Sequence, residues 1–327
     1  MTLHVAYICP WFTMTVGDRL LTTSGEDGIA PFDALTNKTV VLMSSDCAVA
    51  ISYTGLAHVD GSSTANWIGE QVLNFKLSEP MRPGAGHPLQ GSPAPRTNLR
   101  QIVSRLRTAL ERDLPRQDVN RPRRDATEKQ GIEVAILGYV MKRRWRFDPA
   151  DPRNARPVYL HLAHDGGPGL TRVSSVPRMW RDSPRTFKID QIGTPMPGDV
   201  YEALVRGLRA NGPSMEAVEG LLVDAIRKTS EVRPAVGNEC MTVEFVRGDP
   251  HVAVTFNRDP AKTSAAYAPF IAGPVNVLPP TIIRGPAPLP IDNGGWMTHL
   301  QVNPPLPPSD DGLLFAIGGH PQKPFPA

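Results

Sequence analysis

Thr2 is the residue of this chain with the clearest chemical potential, because it directly follows Met1. Threonine is small enough for methionine aminopeptidase to remove the methionine before it. The mature chain would then begin with a residue that carries both a hydroxyl and a free α-amine. An α-amine has a pKa of about 8 and can act as the base for its own neighbouring hydroxyl. Many chains begin Met-Thr, so this prediction depends on residues farther along the sequence.

The cysteines indicate structural thiols, not a redox or metal site. Cys9, Cys47 and Cys240 are widely spaced and odd in number, which fits buried thiols in a reducing compartment and no disulfide framework. The sequence has no CxxC motif and no Cys/His cluster of the kind that binds zinc. We therefore expect neither a metal nor another cofactor.

Two further stretches could suggest other chemistry, and we interpret both as structural. Residues 142–146 (KRRWR) mix basic and aromatic side chains, which can suit nucleic acid but are more typical of an exposed strand end. Residues 163–169 (AHDGGPG) lack the Walker lysine and the strand–loop–helix context of a phosphate loop, so they predict a turn. The net charge is only +3, with both signs interspersed, so we expect no nucleic-acid partner.

The composition predicts a globular protein of one large domain or two smaller ones. About 40% of the 327 residues are hydrophobic, which is enough for a sizeable core. Neither a signal peptide nor an apolar run of membrane-spanning length is present, so we expect a soluble cytoplasmic protein without a membrane partner. The 35 prolines are roughly twice the usual share.

Apolar periodicity predicts alternating blocks of strands and helices. The expected strands are 3–8, 13–21, 38–43, 47–53, 132–141, 157–163, 187–192, 240–246 and 251–256. The expected helices are 64–75, a helix that starts at Asn98, 197–208 and 214–229, the last with Ser214 as its N-cap. This order predicts an α+β fold in which two antiparallel sheets lie between helical layers, a four-layer αββα sandwich.

The sequence also predicts how the chain divides. Residues 1–259 form the αββα domain, with loop insertions at about 77–97 and 116–130. Residues 260–327 are dense in proline and predict an extended C-terminal tail that wraps the domain or binds a partner.

The element order and several local stretches resemble the proteasome β-subunit and the wider N-terminal-nucleophile hydrolase superfamily over residues 2–257. Thr2 stands where that family has its nucleophile, at the start of the first strand. Asp18 (in VGDRLLTT) lies sixteen residues on, which is the family's spacing for a catalytic aspartate. Lys38 (in NKTVVL) matches the lysine that starts the third strand, and Gly55 (in SYTGLAH) matches the glycine whose N–H is an oxyanion donor. Thr194 (in IGT) resembles a turn serine that supports the amine of the nucleophile.

The resemblance implies a role for each of these residues. Lys38 would lower the pKa of the Thr2 hydroxyl and shuttle its proton, Asp18 would orient and charge-balance Lys38, and the N–H of Gly55 would stabilise the oxyanion. Each residue also has a structural interpretation. Asp18 could form a surface ion pair, Lys38 could be a solvated lysine at a strand start, and Gly55 could serve only the backbone where a buried strand ends.

The sequence departs from the family in the late turn. The family's second aspartate and its serine fall near Arg233 and Val236, which cannot play those roles. Glu231, Asn238 and Glu239 are candidates to replace them, and the sequence does not choose between these three.

Two hypotheses emerge from these residues. The first is a threonine hydrolase that cleaves a peptide or other small amide after removal of Met1, and that forms a homo-oligomer as family members do. The alternative is a catalytically inactive protein of the same fold that acts as a structural or interaction module through its proline-rich tail.

Overall fold

The computed structural model describes residues 2–25, 28–33, 38–43, 47–59, 62–73, 98–114, 131–141, 155–164, 172–175, 187–212, 214–247, 252–257, 266–272, 276–283 and 298–303. The strands are β1 (Leu3–Ile8), β2 (Phe12–Asp18), β3 (Leu21–Gly25), β4 (Gly28–Asp33), β5 (Thr39–Met43), β6 (Cys47–Gly55), β7 (His58–Val59), β8 (Ser62–Ser63), β9 (Ile132–Met141), β10 (Ala155–His164), β11 (Arg172–Ser175), β12 (Lys188–Gly193), β13 (Cys240–Val246), β14 (Val252–Asn257), β15 (Ala266–Ala272), β16 (Asn276–Ile283) and β17 (Thr298–Asn303). The helices are α1 (Thr64–Leu73), α2 (Leu99–Asp113), α3 (Gly198–Asn211) and α4 (Met215–Val232).

Two large sheets form the centre of the molecule. The first has the strand order β12–β1–β2–β13–β14–β17, and the second has the order β11–β10–β9–β6–β5–β15–β16. Every pair among the strands between residues 2 and 257 is antiparallel in both sheets. Antiparallel strands can be joined by short turns, and β1 and β2 are linked in this way through residues 9–11.

Each sheet is covered on its outer face by a pair of helices. Helices α3 and α4 pack on the first sheet, where their apolar faces meet alternate residues of β1 and β2, such as Leu3, Val5 and Val16. Helices α1 and α2 pack on the second sheet, where Trp67 and Ile102 meet alternate residues of β6 and β9. The remaining strand residues face the opposite sheet, and a third buried cluster fills that space with Ala6, Ile8, Ala135, Leu137, Tyr159 and Ile192. The expected αββα sandwich is confirmed.

Local signals in the sequence explain where the helices begin. The side chain of Asn98 accepts a hydrogen bond from the Gln101 N–H at 2.9 Å, and the Gln101 side chain accepts one from the Asn98 N–H at 3.0 Å. This reciprocal capping box satisfies two backbone donors at the start of α2. Ser214 caps α4 by accepting from the Ala217 N–H at 3.5 Å, at the position that the sequence predicts.

Strand β2 ends earlier than its apolar pattern predicts. The sequence indicates one strand over 13–21, whereas β2 ends at Asp18 and a separate hairpin of β3 and β4 comes after it. The carboxylate of Asp18 accepts a hydrogen bond from the Leu20 N–H at 2.9 Å. Such a local bond from side chain to backbone competes with ladder pairing, and it turns the chain here.

Part of the proline-rich region joins both sheets. Strand β15 pairs in parallel with β5, and β16 pairs with β15. Strand β17 pairs in parallel with β14 of the first sheet. The strands therefore extend each sheet on the side away from β12 and β11. The division of the chain at residue 259 stays a prediction, and the insertions at 77–97 and 116–130 lie outside the described residues.

None of the described helices is both long enough and apolar enough to cross a membrane.

Candidate functional site

Three predicted site residues lie together where strands of the two sheets begin or end. Thr2 precedes β1, and Asp18 is the last residue of β2, which pairs with β1 in antiparallel register. Lys38 precedes β5 in the other sheet, where its carbonyl accepts a hydrogen bond from the Tyr53 N–H at 2.9 Å. The long lysine side chain crosses from the second sheet to the first, so the tertiary fold joins residues that are 36 positions apart.

The Lys38 ammonium is the centre of this cluster. It donates hydrogen bonds to Thr2 Oγ1 and to the Leu20 carbonyl, and it donates to Asp18 Oδ1 at 2.9 Å. An ammonium has three N–H donors and no acceptor, so three acceptors satisfy it fully. The arrangement therefore suits a charged lysine that faces the threonine hydroxyl.

Asp18 holds both the lysine and the backbone that carries Thr2. Its Oδ2 accepts from the Leu3 N–H at 2.6 Å, and its Oδ1 accepts from the Leu20 N–H at 2.9 Å as well as from Lys38. The side chains of Lys38 and Asp18 are 1% and 0% exposed. A surface ion pair is thus excluded, and the negative charge of Asp18 is compensated inside the protein by one cation and two backbone donors.

The turn at Gly193 and Thr194 holds the carbonyl of Thr2. The Thr194 N–H donates to the Thr2 carbonyl at 2.7 Å. Gly193 has a φ of +87°, a backbone conformation that favours glycine. A Cβ at this position would also collide with the carbonyl oxygen of Thr2, which independently requires glycine. Thr194 is buried, and its Oγ1 has no hydrogen-bond partner among the described residues. That hydroxyl is available for the expected contact with the amine of Thr2.

Gly55 ends β6 at the surface, whereas the eight residues before it are buried. Its φ is +99°, and a Cβ would collide with the Gly131 carbonyl. The backbone therefore requires glycine here whether or not its N–H serves as an oxyanion donor, which stays a prediction.

The late turn places one of the three candidate residues close to the site. Arg233 is exposed at the end of α4, and Val236 is buried and apolar, so neither supplies the family's acidic or hydroxyl group. Glu239 instead lies beside the residue after Asp18: its Oε2 is 3.7 Å from Arg19 Nη1, and its carbonyl accepts from the Arg19 N–H at 3.0 Å. Glu239 thus fixes the backbone behind Asp18.

The other two candidates are associated with helix α4. Glu231 is exposed on α4. The Asn238 carbonyl accepts from Arg227 Nε at 3.3 Å, which ties it to α4.

His4 is a buried residue of the site region that the sequence pattern did not reveal. It lies on β1 opposite Gly17, and a Cβ on Gly17 would collide with its imidazole. Burial, and secondarily the charge of Lys38, lower the pKa of His4 to about 3, while the Tyr53 backbone partly opposes this shift. Neither ring nitrogen reaches full hydrogen-bond geometry with a described residue. The alternation of β1, with Leu3 and Val5 facing helices, was the signal that could have placed His4 between the sheets.

The cysteines are buried and none of them is in a disulfide, as expected from their number and spacing. Burial, with the nearby charge of Asp18 as a smaller cause, raises the pKa of the Cys240 thiol far above its usual value. The thiolate is the nucleophilic form of cysteine, so Cys240 is an inert core residue although it lies next to the site. Among the described residues, no group of three or more His, Cys, Asp or Glu side chains could hold a metal ion.

The fold and the cluster of Thr2, Lys38 and Asp18 together define the structural class of this protein. Two antiparallel sheets lie between two helical layers, and a threonine at the start of the first strand faces a lysine–aspartate pair. This is the architecture of an N-terminal-nucleophile-type sandwich.

Comparison with solved structures finds similarity to Anbu proteins. An Anbu Gly-1 mutant from Hyphomicrobium sp. strain MC1 is 15% identical with a TM-score of 0.45, over 76% of this chain and 83% of that chain. Anbu (ancestral beta-subunit) from Yersinia bercovieri is 14% identical with a TM-score of 0.43, over 76% and 84%. Anbu from Pseudomonas aeruginosa, solved as a helical assembly, is 12% identical with a TM-score of 0.44, over 75% and 82%. No protein-family model matches this chain, and no curated protein matches it.

These comparisons correct the resemblance inferred from the sequence. The proteasome β-subunit was the wrong relative, because the similar structures are Anbu proteins, a proteasome-like but distinct family. The broader assignment to a fold of the N-terminal-nucleophile type is consistent with the structure.

Proposed function

We propose that this protein is a threonine hydrolase that cleaves a peptide or other small amide bond through Thr2. The observation that carries the proposal is the contact of one buried lysine with both Thr2 Oγ1 and Asp18. A hydroxyl needs help to lose its proton, and a buried cation beside it stabilises the developing alkoxide. The proposal requires Thr2 to be the first residue of the mature chain, after removal of Met1.

The contacts of Lys38 support the α-amine of Thr2 as the group that accepts the hydroxyl proton. A charged lysine whose three donors face Thr2, Asp18 and the Leu20 carbonyl has no free electron pair with which to accept a proton. The α-amine of Thr2 has a pKa of about 8 and is the remaining base on the same residue. Lys38 then acts by electrostatic stabilisation, and Asp18 keeps it charged and oriented.

The reaction is an ordinary acyl transfer. Thr2 Oγ forms a bond to the substrate carbonyl carbon, its proton moves to the α-amine, and the carbonyl oxygen becomes an oxyanion. Gly55 N–H is the proposed donor to this oxyanion, and Thr194 Oγ1 is the proposed partner of the amine. The carbon–nitrogen bond then breaks as the leaving amine takes the proton, and water hydrolyses the ester formed with Thr2.

Labelling and mass spectrometry test the proposal directly. The intact mass of the native protein should correspond to a chain that begins at Thr2, and a β-lactone or a peptide boronate should modify that residue. Thr2→Ala and Lys38→Ala should abolish labelling. Lys188→Ala, which removes a partly exposed lysine of β12, is the matched control and should label normally. A native protein that retains Met1 would rule the proposal out.

The late turn favours the alternative function, a structural or interaction module. Arg233 and Val236 occupy the positions of the two missing supports, and the carboxylate of Glu239 is paired with Arg19. In this alternative, Thr2→Ala would leave assembly and partner binding unchanged, whereas removal of residues 260–327 would abolish them.

Homo-oligomer formation and a cytoplasmic location remain proposals under either function. Analytical ultracentrifugation of the full chain tests the first: a sedimentation coefficient of a monomer at micromolar concentration would reject it. Three buried free thiols support a reducing compartment.

A further inference from the structure

We propose that Glu133 is a positioning residue that sets Thr2 relative to the Gly55 end of β6; this inference rests on the proposed function. Glu133 lies on β9 in the second sheet, directly opposite Thr54 of β6. Its Oε2 accepts a hydrogen bond from the Gly193 N–H of the first sheet at 2.7 Å. One side chain therefore connects β9, the neighbour of the strand that ends at Gly55, with the turn that holds Thr2.

The connection continues through the turn to the nucleophile. Gly193 is the last residue of β12, and the next residue, Thr194, donates its N–H to the Thr2 carbonyl at 2.7 Å. A Cβ on Gly193 would collide with that carbonyl, so the turn and Thr2 are in direct contact. A shift of the Gly193 N–H away from Glu133 would therefore move the carbonyl of Thr2 with it.

A second contact brings the two sheets together at the same point. A Cβ on Gly193 would also lie 2.9 Å from Thr54 Cγ2, so the Thr54 methyl group is close to the turn. Thr54 precedes Gly55 and lies opposite Glu133 in the register of β6 and β9. The carboxylate and the methyl group thus hold the turn at a defined distance from the proposed oxyanion donor.

The chemistry of the bond suits a positioning role. A carboxylate that accepts from a backbone N–H forms a charge-assisted bond, which is shorter and stronger than a neutral one. Acyl transfer requires the nucleophile and the oxyanion donor to lie within a fraction of an ångström of their productive arrangement. Glu133 touches neither the substrate nor the reacting atoms in this arrangement and acts through Gly193 and Thr194.

Amide hydrogen exchange and labelling kinetics test the inference together. In Glu133→Ala, the Gly193 and Thr194 amides should exchange faster by a factor of roughly three to ten, because the lost bond is charge-assisted but partly exposed to solvent. The maximal rate of Thr2 modification by the β-lactone should fall by a similar factor, with little change in the reagent concentration at half-maximal rate. Glu133→Gln keeps an acceptor oxygen and should recover most of both effects. Glu111→Ala, which removes an exposed carboxylate of α2, is the control.

Each result of these measurements either supports or overturns the positioning role of Glu133. Unchanged exchange of the two amides in Glu133→Ala would overturn the inference, and so would faster exchange with an unchanged maximal labelling rate. A fall in melting temperature without a change in labelling rate would indicate a purely structural residue and would also overturn it. If wild-type protein is not labelled at all, the proposed function fails, and exchange at Gly193 and Thr194 alone decides whether Glu133 holds the turn.

Discussion

Replacement of Asp18 by asparagine should destabilise this protein far more than the same change at a surface ion pair. Asp18→Asn keeps the size of the side chain but removes its charge, which leaves the Lys38 ammonium buried without a counterion. It also places an amide N–H₂ group at one of the two oxygen positions. The oxygen at the other position cannot serve all three donors, which are the Leu3 N–H, the Leu20 N–H and Lys38.

The magnitude depends on the burial of the pair. Removal of one partner from a buried ion pair costs about 3–5 kcal/mol, because the remaining charge lies in a medium that solvates it poorly. Proteins of this kind unfold with a free energy of about 5–15 kcal/mol, so the loss is a large share of the total. The contact of Lys38 with Thr2 and the Leu20 carbonyl offsets part of the cost, which favours the lower end of the range.

The chain offers a matched control in the same sheet. Asp190 pairs with Lys188 at 3.1 Å, close to the 2.9 Å of the buried pair, but those side chains are 32% and 39% exposed. Asp190→Asn should cost less than about 1 kcal/mol, because water solvates both charges. Urea denaturation of the two variants and the wild type gives the free energies of unfolding directly.

Equal destabilisation by Asp18→Asn and Asp190→Asn would refute this reasoning, since the Asp18 pair is buried and its carboxylate serves three donors, whereas the Asp190 pair is partly exposed. A cost below about 1 kcal/mol for Asp18→Asn would refute it as well. The double variant Asp18→Asn with Lys38→Met should recover part of the loss, because it removes the uncompensated charge.

Three further predictions concern His4, Gly193 and Glu244. Burial lowers the pKa of His4 from 6.5 in the unfolded chain to about 3 in the folded protein. The free energy of unfolding should therefore be highest above pH 6.5 and should fall by up to about 1.4 kcal/mol per pH unit as the pH is lowered from 6.5 toward 3. Urea denaturation should show a weaker pH dependence for His4→Gln. Gly193→Ala should destabilise the protein by about 1–3 kcal/mol and slow Thr2 labelling, because the new Cβ meets the Thr2 carbonyl at positive φ, whereas Gly198→Ala has open space and should be nearly neutral in a thermal melt. Burial and a neighbouring carboxylate raise the pKa of Glu244 from 4.5 to about 7. The free energy of unfolding should therefore decrease as the pH rises from about 4.5 to 7, because the folded protein disfavours the charged carboxylate. Glu244→Gln should unfold at a higher urea concentration than wild type at pH 8 and at the same concentration at pH 4.

Much of the fold could be predicted because its signals are local. Buried strands such as β6 and β9 are near-continuous apolar runs, and helices α2 and α4 carry their own caps at Asn98 and Ser214. The hairpin of β3 and β4 was missed because its sequence reads as a polar loop. The parallel strands at 266–272 and 298–303 were missed because prolines dominate that region, and their pairing with β5 and β14 is non-local.

The residues of the candidate site also fall into those that the sequence indicated and those that only the structure revealed. The resemblance of the motifs at Thr2, Asp18 and Lys38 to the N-terminal-nucleophile superfamily implied that these residues belong together, and the structure brings them into hydrogen-bond contact. Nothing in the spacing of His4 or Glu133 marks them, because their positions depend on which face of a strand meets the other sheet.

By itself, the sequence determined the order of strands and helices and the αββα architecture, because apolar periodicity and capping residues are properties of neighbouring positions. The three residues that meet at the site were implied by the resemblance of their motifs to the N-terminal-nucleophile superfamily. Only the tertiary structure decided that the Lys38–Asp18 pair is fully buried, that Glu239 lies beside Arg19, and that Glu133 spans the two sheets. Those contacts join positions that are far apart in the chain, and long-range pairing emerges only when the two sheets pack face to face.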